Sequence, residues 1–179
     1  AITVGAVLYS NTDVISSGTL PVRPADCDVV LPTLDPLTVA TFSSRGGMLV
    51  SNQSRNKPDI TAPNGVNTTV TLGGQNIECD NLPNFFGTSA AAPHAAGVAA
   101  LLLEARKYYY PNTAPTNSNW TDASMSKNIR NTLKNTALAM NGGSTASGSG
   151  LIKASSAMLT LAAPNPEIIK LVYPQGTVP

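Results

Sequence analysis

Apolar and polar positions change period several times along this chain, and each change predicts an element. Residues 2–8 run β-branched and apolar without regular polar alternation, which predicts a short buried strand. Residues 9–38 are rich in Ser, Thr, Asp and Pro, with a further short strand expected only over 26–32. So long an irregular stretch in a compact domain reads as functional surface or as an insertion. Val39 to Phe42 suits another strand, closed by the turn-forming run Ser43-Ser44-Arg45-Gly46-Gly47. A short strand is bracketed by Pro58 and Pro63, and Asn67 to Leu72 alternates as one more, ended by Gly73-Gly74.

The pattern then becomes helical. Residues 88–106 are dominated by Ala, Leu and Val with apolar positions all round, which predicts a helix buried on every side. Pro93 falls early in it, where a missing N–H is best tolerated. Gly97 costs about 1 kcal/mol in a helix interior, so its expected use is close packing against another backbone. A second helix is expected over 122–140. Met125, Ile129, Leu133 and Ala137 form its stripe, Thr121 or Asp122 its N-cap, and Asn141-Gly142-Gly143 its stop. A third is expected over 152–162. Pro164, Pro166, Pro174 and Pro179 then punctuate 161–179, which reads as a linker or the start of a following domain.

Composition narrows the function. Of 179 residues, 42% are hydrophobic and 12% charged, about half the usual charged share. With 11 basic and 10 acidic residues there is no basic stripe, so nucleic acid is not an expected partner. The longest apolar run, around residues 95–103, is shorter than the roughly 20 residues that span a bilayer, so no membrane span is expected. The chain opens on Ala1 directly into the first strand, which reads as a cut inside a larger protein. Cys27 and Cys79 are too few and too far apart for zinc, and Asp26, Asp28 and Asp35 read as solvated loop charges. Neither a metal nor a cofactor is expected. Three glycosylation sequons, at Asn52, Asn67 and Asn119, carry no assignment in an Asn- and Thr-rich chain. There is one histidine, His94, so chemistry needing a histidine base must use it or import a base.

The informative segment is Phe86-Gly87-Thr88-Ser89-Ala90-Ala91-Ala92-Pro93-His94-Ala95-Ala96-Gly97. It places Ser89 where a loop becomes a helix, with Gly87 permitting a tight approach and small residues leaving the hydroxyl accessible. Free N–H groups and partial positive charge at a helix N-terminus would stabilise an oxyanion formed by attack of Ser89. From the residues alone, a Ser before a helix is more often simply an N-cap.

The same segment closely resembles the nucleophile-serine motif of subtilisin-like serine proteases, the subtilases. Further matches follow in the family's order. Ile2-Thr3-Val4-Gly5-Ala6-Val7 resembles its core strand, and Phe42-Ser43-Ser44-Arg45-Gly46 its Phe-Ser-Ser turn. Lys57-Pro58-Asp59-Ile60-Thr61-Ala62-Pro63 resembles its Pro-Asp-x-x-Ala-Pro strand, with Asn64 intervening before the usual Gly. Residues 119–137 resemble a later helix, and Gly148-Ser149-Gly150-Leu151-Ile152-Lys153-Ala154 the closing turn.

The resemblance implies an α/β fold, a partial subtilisin-like three-layer arrangement of mainly parallel sheet and flanking helices. Residues 1–160 would be the C-terminal portion of the peptidase domain, with 8–41 an insertion. Ser89 is implied as the catalytic nucleophile, its own N–H as one oxyanion donor, and Thr88 as support for that site. Gly87, Pro93, His94 and Gly97 are implied as structural around it. The family's catalytic Asp, its His and the oxyanion Asn precede the core strand, and this sequence contains none of them. His94 matches a position beside the nucleophile, not the catalytic histidine. Five helical residues also turn it about 140° away from Ser89.

The expected function is therefore part of a serine endopeptidase acting on a polypeptide substrate, inactive as this chain alone. The N-terminal half of the same domain is its expected partner, or a dimer that covers the open surface. The alternative is a degenerate, non-catalytic subtilase-like binding or scaffold module. Cys27 and Cys79 each lie in a segment longer than the family's usual link, which suggests a disulfide between them. Such a bridge and the resemblance imply a secreted or cell-surface protein.

Overall fold

A computed structural model describes residues 1–12, 25–27, 38–70, 76–109 and 123–162. Strand β1, Val4–Leu8, pairs in parallel with β4, Ile60–Asn64, in the register Val4↔Ile60 to Leu8↔Asn64. Ala6, Val7, Ile60 and Ala62 have no exposed surface. Both faces of this pair are covered, which is why its strands read as continuous apolar runs rather than alternating ones. Gly150 to Ile152 runs alongside β4. Thr61 N–H donates to Gly150 O at 2.8 Å, and Ile152 N–H donates to Thr61 O at 3.0 Å.

Four α-helices follow among the described residues. Helix α1, Thr88–Tyr109, lies against β1 and β4. Helices α2, Ala123–Asn135, and α4, Ala154–Ala162, pack against α1, while α3, Ser144–Ser147, is a single turn. The core joins Ala6, Ile60 and Ala62 of the strands to Ala91, Ala95 and Leu102 of α1. Ile129 and Leu133 of α2 are buried as the stripe predicts, whereas the side chain of Met125 and the proposed caps Thr121 and Asp122 lie outside the described residues.

Several expectations need correction. Val39 to Phe42 is not a strand. Ala40 N–H donates to Ala6 O at 2.8 Å, but Ser43 N–H then closes a turn onto Ala40 O at 2.9 Å. Ser43 Oγ accepts the Ala6 N–H at 3.0 Å, so a side chain takes the place of a strand neighbour. Of the expected strand 67–72, only Asn67 falls in a described strand, β5, Val66–Asn67, paired antiparallel with β6, Asn84–Phe85. Residues 71 and 72, like 28–32 of the other expected strand, lie outside the described residues.

A hairpin of β2, Leu49–Val50, and β3, Gln53–Ser54, was not legible because all four residues are exposed and carry no buried-face signal. Its turn places Ser51 and Asn52 at φ +51° and +58°, as a two-residue hairpin turn requires.

Helix boundaries shift for identifiable reasons. Helix α2 stops at Asn135, short of Met140, because Leu138 and Leu151 exchange N–H···O bonds of 2.8 and 2.9 Å. Helix α4 begins after Ile152, whose N–H is already committed to Thr61. Helix α1 is not buried all round. Ala92, Pro93, Ala96, Gly97, Ala100 and Leu101 form an exposed apolar face, with Leu101 57% exposed. No heavy atom lies within 4 Å of where a Gly97 Cβ would stand, so the described residues do not supply the expected close backbone.

Candidate active site

The site is built where β4 hands over to β5 and where β6 feeds α1. Gly65 N–H donates to Phe85 O at 2.8 Å, and a Cβ on Gly65 would stand 3.0 Å from the Phe86 ring. With φ +76°, Gly65 also occupies backbone space that other residues rarely adopt. Asn84, 3% exposed, ties the corner from below. Its Nδ2 lies 3.0 Å from Gly65 O, 2.9 Å from Asn67 Oδ1 and 2.6 Å from Glu78 Oε2, while its Oδ1 accepts Ile77 N–H at 2.7 Å.

Gly87, at φ +101°, turns the chain into α1. Its carbonyl accepts the N–H groups of Ala90 at 3.0 Å and Ala91 at 3.2 Å, which starts the helix. Ser89 is thus the second helical residue, on an N-terminal turn whose first N–H groups have no intrahelical acceptor. Both Thr88 and Ser89 are exposed, while Ala90 and Ala91 anchor the turn in the core. Pro93 lies four residues beyond Ser89, so it cannot donate to the Ser89 carbonyl and its ring crowds that carbonyl. Thr88 also lines a cleft of about 270 Å³ with Thr3, Ser43, Arg45, Lys57 and Pro58.

His94 Nδ1 lies 2.7 Å from Ala90 O, the helical i−4 carbonyl, and the ring is half-buried. A carbonyl only accepts, so Nδ1 carries the proton, and the ring is engaged within its own helix. The described residues bring no other histidine to Ser89, because the sequence contains only this one. Among the described residues, no three His, Cys, Asp or Glu side chains group as a metal site.

Two covalent or ionic ties brace this frame. Cys27 and Cys79 form a disulfide with Cα atoms 5.6 Å apart, so the irregular segment 76–83 that leads into β6 is stapled to the chain after β1. Asp59 has a fully buried side chain. Burial alone would raise its pKa, but the Lys57 ammonium, the Thr3 N–H and the Arg130 guanidinium together hold its carboxyl well below the usual carboxylate range. No helix among the described residues is long and apolar enough to cross a membrane.

A parallel strand pair covered by a helix defines an α/β protein, and it carries an accessible serine on that helix's first turn. The Subtilase family model matches residues 1–150, and the chain belongs to that family. It is 37% identical over 138 residues to alkaline elastase YaB of Bacillus sp. (strain YaB), covering 76% of this chain and 28% of that protein. It is 34% identical over 151 residues to subtilisin BL of Lederbergia lenta, covering 84% of this chain and 45% of that protein. The chain therefore spans less than half the length of these relatives. Among solved structures, a lanthipeptide protease aligns with TM-score 0.53 at 19% identity, over 89% of this chain and 42% of that one, a likeness of fold.

Asn64, whose Oδ1 accepts the Gly87 N–H at 3.4 Å, and Asn84 meet this corner without belonging to the serine motif. Asn64 left one signal, its position between Pro63 and Gly65 where the family pattern runs from Pro directly to Gly.

Proposed function

We propose that this chain is the nucleophile-bearing portion of a serine endopeptidase that cleaves polypeptides through an acyl-enzyme on Ser89. The observation that carries this reading is the exposed Ser89 on the first turn of α1, behind a Gly87 turn and ahead of Pro93. In the acylation step the Ser89 hydroxyl would attack the scissile carbonyl and lose its proton to a histidine, which passes it to the amine leaving as the C–N bond breaks; water then hydrolyses the Ser89 ester. The Ser89 N–H is the first donor to the resulting oxyanion, and Thr88 supports that corner.

His94 does not serve as the base, since five helical residues turn it about 140° away from Ser89 and its ring packs back on its own helix at Ala90 O. The base, its orienting Asp and the oxyanion Asn come from an N-terminal half of the same domain. Two observations support that partner. The matched relatives are more than twice as long as the matched segment. The face of α1 that bears Ala92, Ala96, Gly97, Ala100 and Leu101 is exposed and apolar, as expected of a surface awaiting its other half. On this reading residues 1–160 form that portion, 8–41 are an insertion and 161–179 a linker. The family membership and the disulfide support a secreted or surface location.

The test is a fluorophosphonate probe. This chain alone should not label on Ser89, because an unassisted serine is an ordinary alcohol. Labelling should appear when the upstream half is present and vanish in Ser89→Ala. Rapid labelling of the chain alone would refute the missing-base reading. Absence of labelling in the complete domain would leave the non-catalytic module as the function.

A further inference from the structure

Asn64 is the last residue of β4 and is fully buried. Its Oδ1 accepts the Gly87 N–H at 3.4 Å, across 23 residues of chain. That bond is long, yet it ends on the residue whose φ of +101° launches α1. Nδ2 of the same side chain is buried and has no acceptor among the described residues. An unpaired buried donor costs about 1–3 kcal/mol. The side chain is thus poorly suited to a purely stabilising role, while its one bond reaches the loop before Ser89.

The neighbouring contacts show why a side chain is needed there. Phe85 is held by a backbone bond from Gly65, and Ala90 and Ala91 are held by Gly87 O. Between these anchors, the Gly87 N–H meets the end of β4 through the Asn64 side chain. An acceptor on the sheet fixes the tilt of the Phe86–Gly87 peptide, and through the Gly87 turn the direction of the Ser89 side chain and N–H.

We propose that Asn64 is a positioning residue for the nucleophile, acting through the Gly87 N–H. This rests on the reading of Ser89 as nucleophile. Asn64 does not touch the reacting atoms, and its effect falls on turnover rather than on substrate binding.

The test compares wild type, Asn64→Leu and Asn64→Asp in the full-length protein, by amide hydrogen exchange and by peptidase kinetics. Leucine matches the shape but removes the acceptor, while aspartate keeps an acceptor oxygen facing Gly87. Asn64→Ala reads the same quantities where the leucine variant does not accumulate. Exchange at Gly87 should speed up about fivefold in Asn64→Leu, the worth of one hydrogen bond, and kcat should fall at least as far with KM unchanged. Asn64→Asp should restore slow exchange at Gly87.

Unchanged Gly87 exchange in Asn64→Leu would overturn the proposal. So would an equal rise at Leu102 in the buried middle of α1, the mark of general destabilisation, or faster Gly87 exchange with kcat intact. If the wild type neither labels with the probe nor turns over, the reading of Ser89 fails separately. The exchange comparison then decides by itself whether Asn64 holds the loop.

Discussion

Arg130 Nη2 lies 2.5 Å from Asp59 Oδ1, joining α2 to the residue just before β4 across 71 positions of sequence. Lys57 Nζ holds the other oxygen at 2.7 Å, and Thr3 N–H donates to it at 2.9 Å. One buried carboxylate thus ties the entrance of β1, the entrance of β4 and the middle of α2. Lys57 and Arg130 keep 34% and 37% of their side chains exposed, so water can still reach them when the carboxylate is lost.

Asp59→Asn should therefore destabilise the full-length protein by about 3 kcal/mol at pH 7, the low end for breaking a buried pair. The pKa of Asp59 is depressed in the folded state, so the unfolded chain takes up the proton more readily. The ionic contribution is complete above the unfolded carboxylate value of about 4 and declines as pH falls below it. Urea unfolding at pH 7 and at pH 3 should show the gap between wild type and variant narrowing in acid. A gap that stays constant would show that Asp59 acts through packing alone.

How much of this frame could be read from sequence divides by range. The strand of residues 2–8, the strand between Pro58 and Pro63 and the serine helix were legible, because their apolar runs are local and dense. The helix stop at Asn135 was not legible, since Leu138 leaves the helix to pair with Leu151, a partner visible only in three dimensions. Val39 to Phe42 has strand composition, yet Ser43 Oγ caps the Ala6 N–H and no ladder forms. The place of Ser89 on the first turn of a helix was legible from its motif. The Arg130–Asp59 pair and the Asn64 bond to the Gly87 N–H were not, because they join groups 71 and 23 residues apart.

The Cys27–Cys79 bridge closes a separation of 52 residues. Chain entropy values such a loop at about 4 kcal/mol. Cys27→Ser with Cys79→Ser should lower the unfolding free energy by an amount of that order, and reductant should reproduce the loss in wild type. Alkylation of unreduced denatured protein should modify neither cysteine, and alkylation after reduction should modify both. Two modified cysteines before reduction would show the bridge absent.

His94 donates Nδ1–H to Ala90 O, an ordinary helical side-chain contact. His94→Gln in the full-length protein should leave probe labelling of Ser89 well short of the roughly 100-fold loss that removal of a general base produces. A loss of that size with an unchanged melting temperature would return His94 to the chemistry.

Gly97 separates the chain alone from the complete domain. It sits on the exposed face of α1 with open space where a Cβ would stand. In the chain alone, Gly97→Ala should raise helix stability by up to about 1 kcal/mol, the propensity difference between the two residues. If the N-terminal half packs its backbone onto this face, the added methyl meets that backbone once the domain is assembled. The same substitution should then weaken association of the two halves and slow recovery of probe labelling. The two measurements are a thermal melt of this chain and a titration of the upstream half against it. A variant that stabilises the chain and leaves the titration unchanged would place the missing half on another surface.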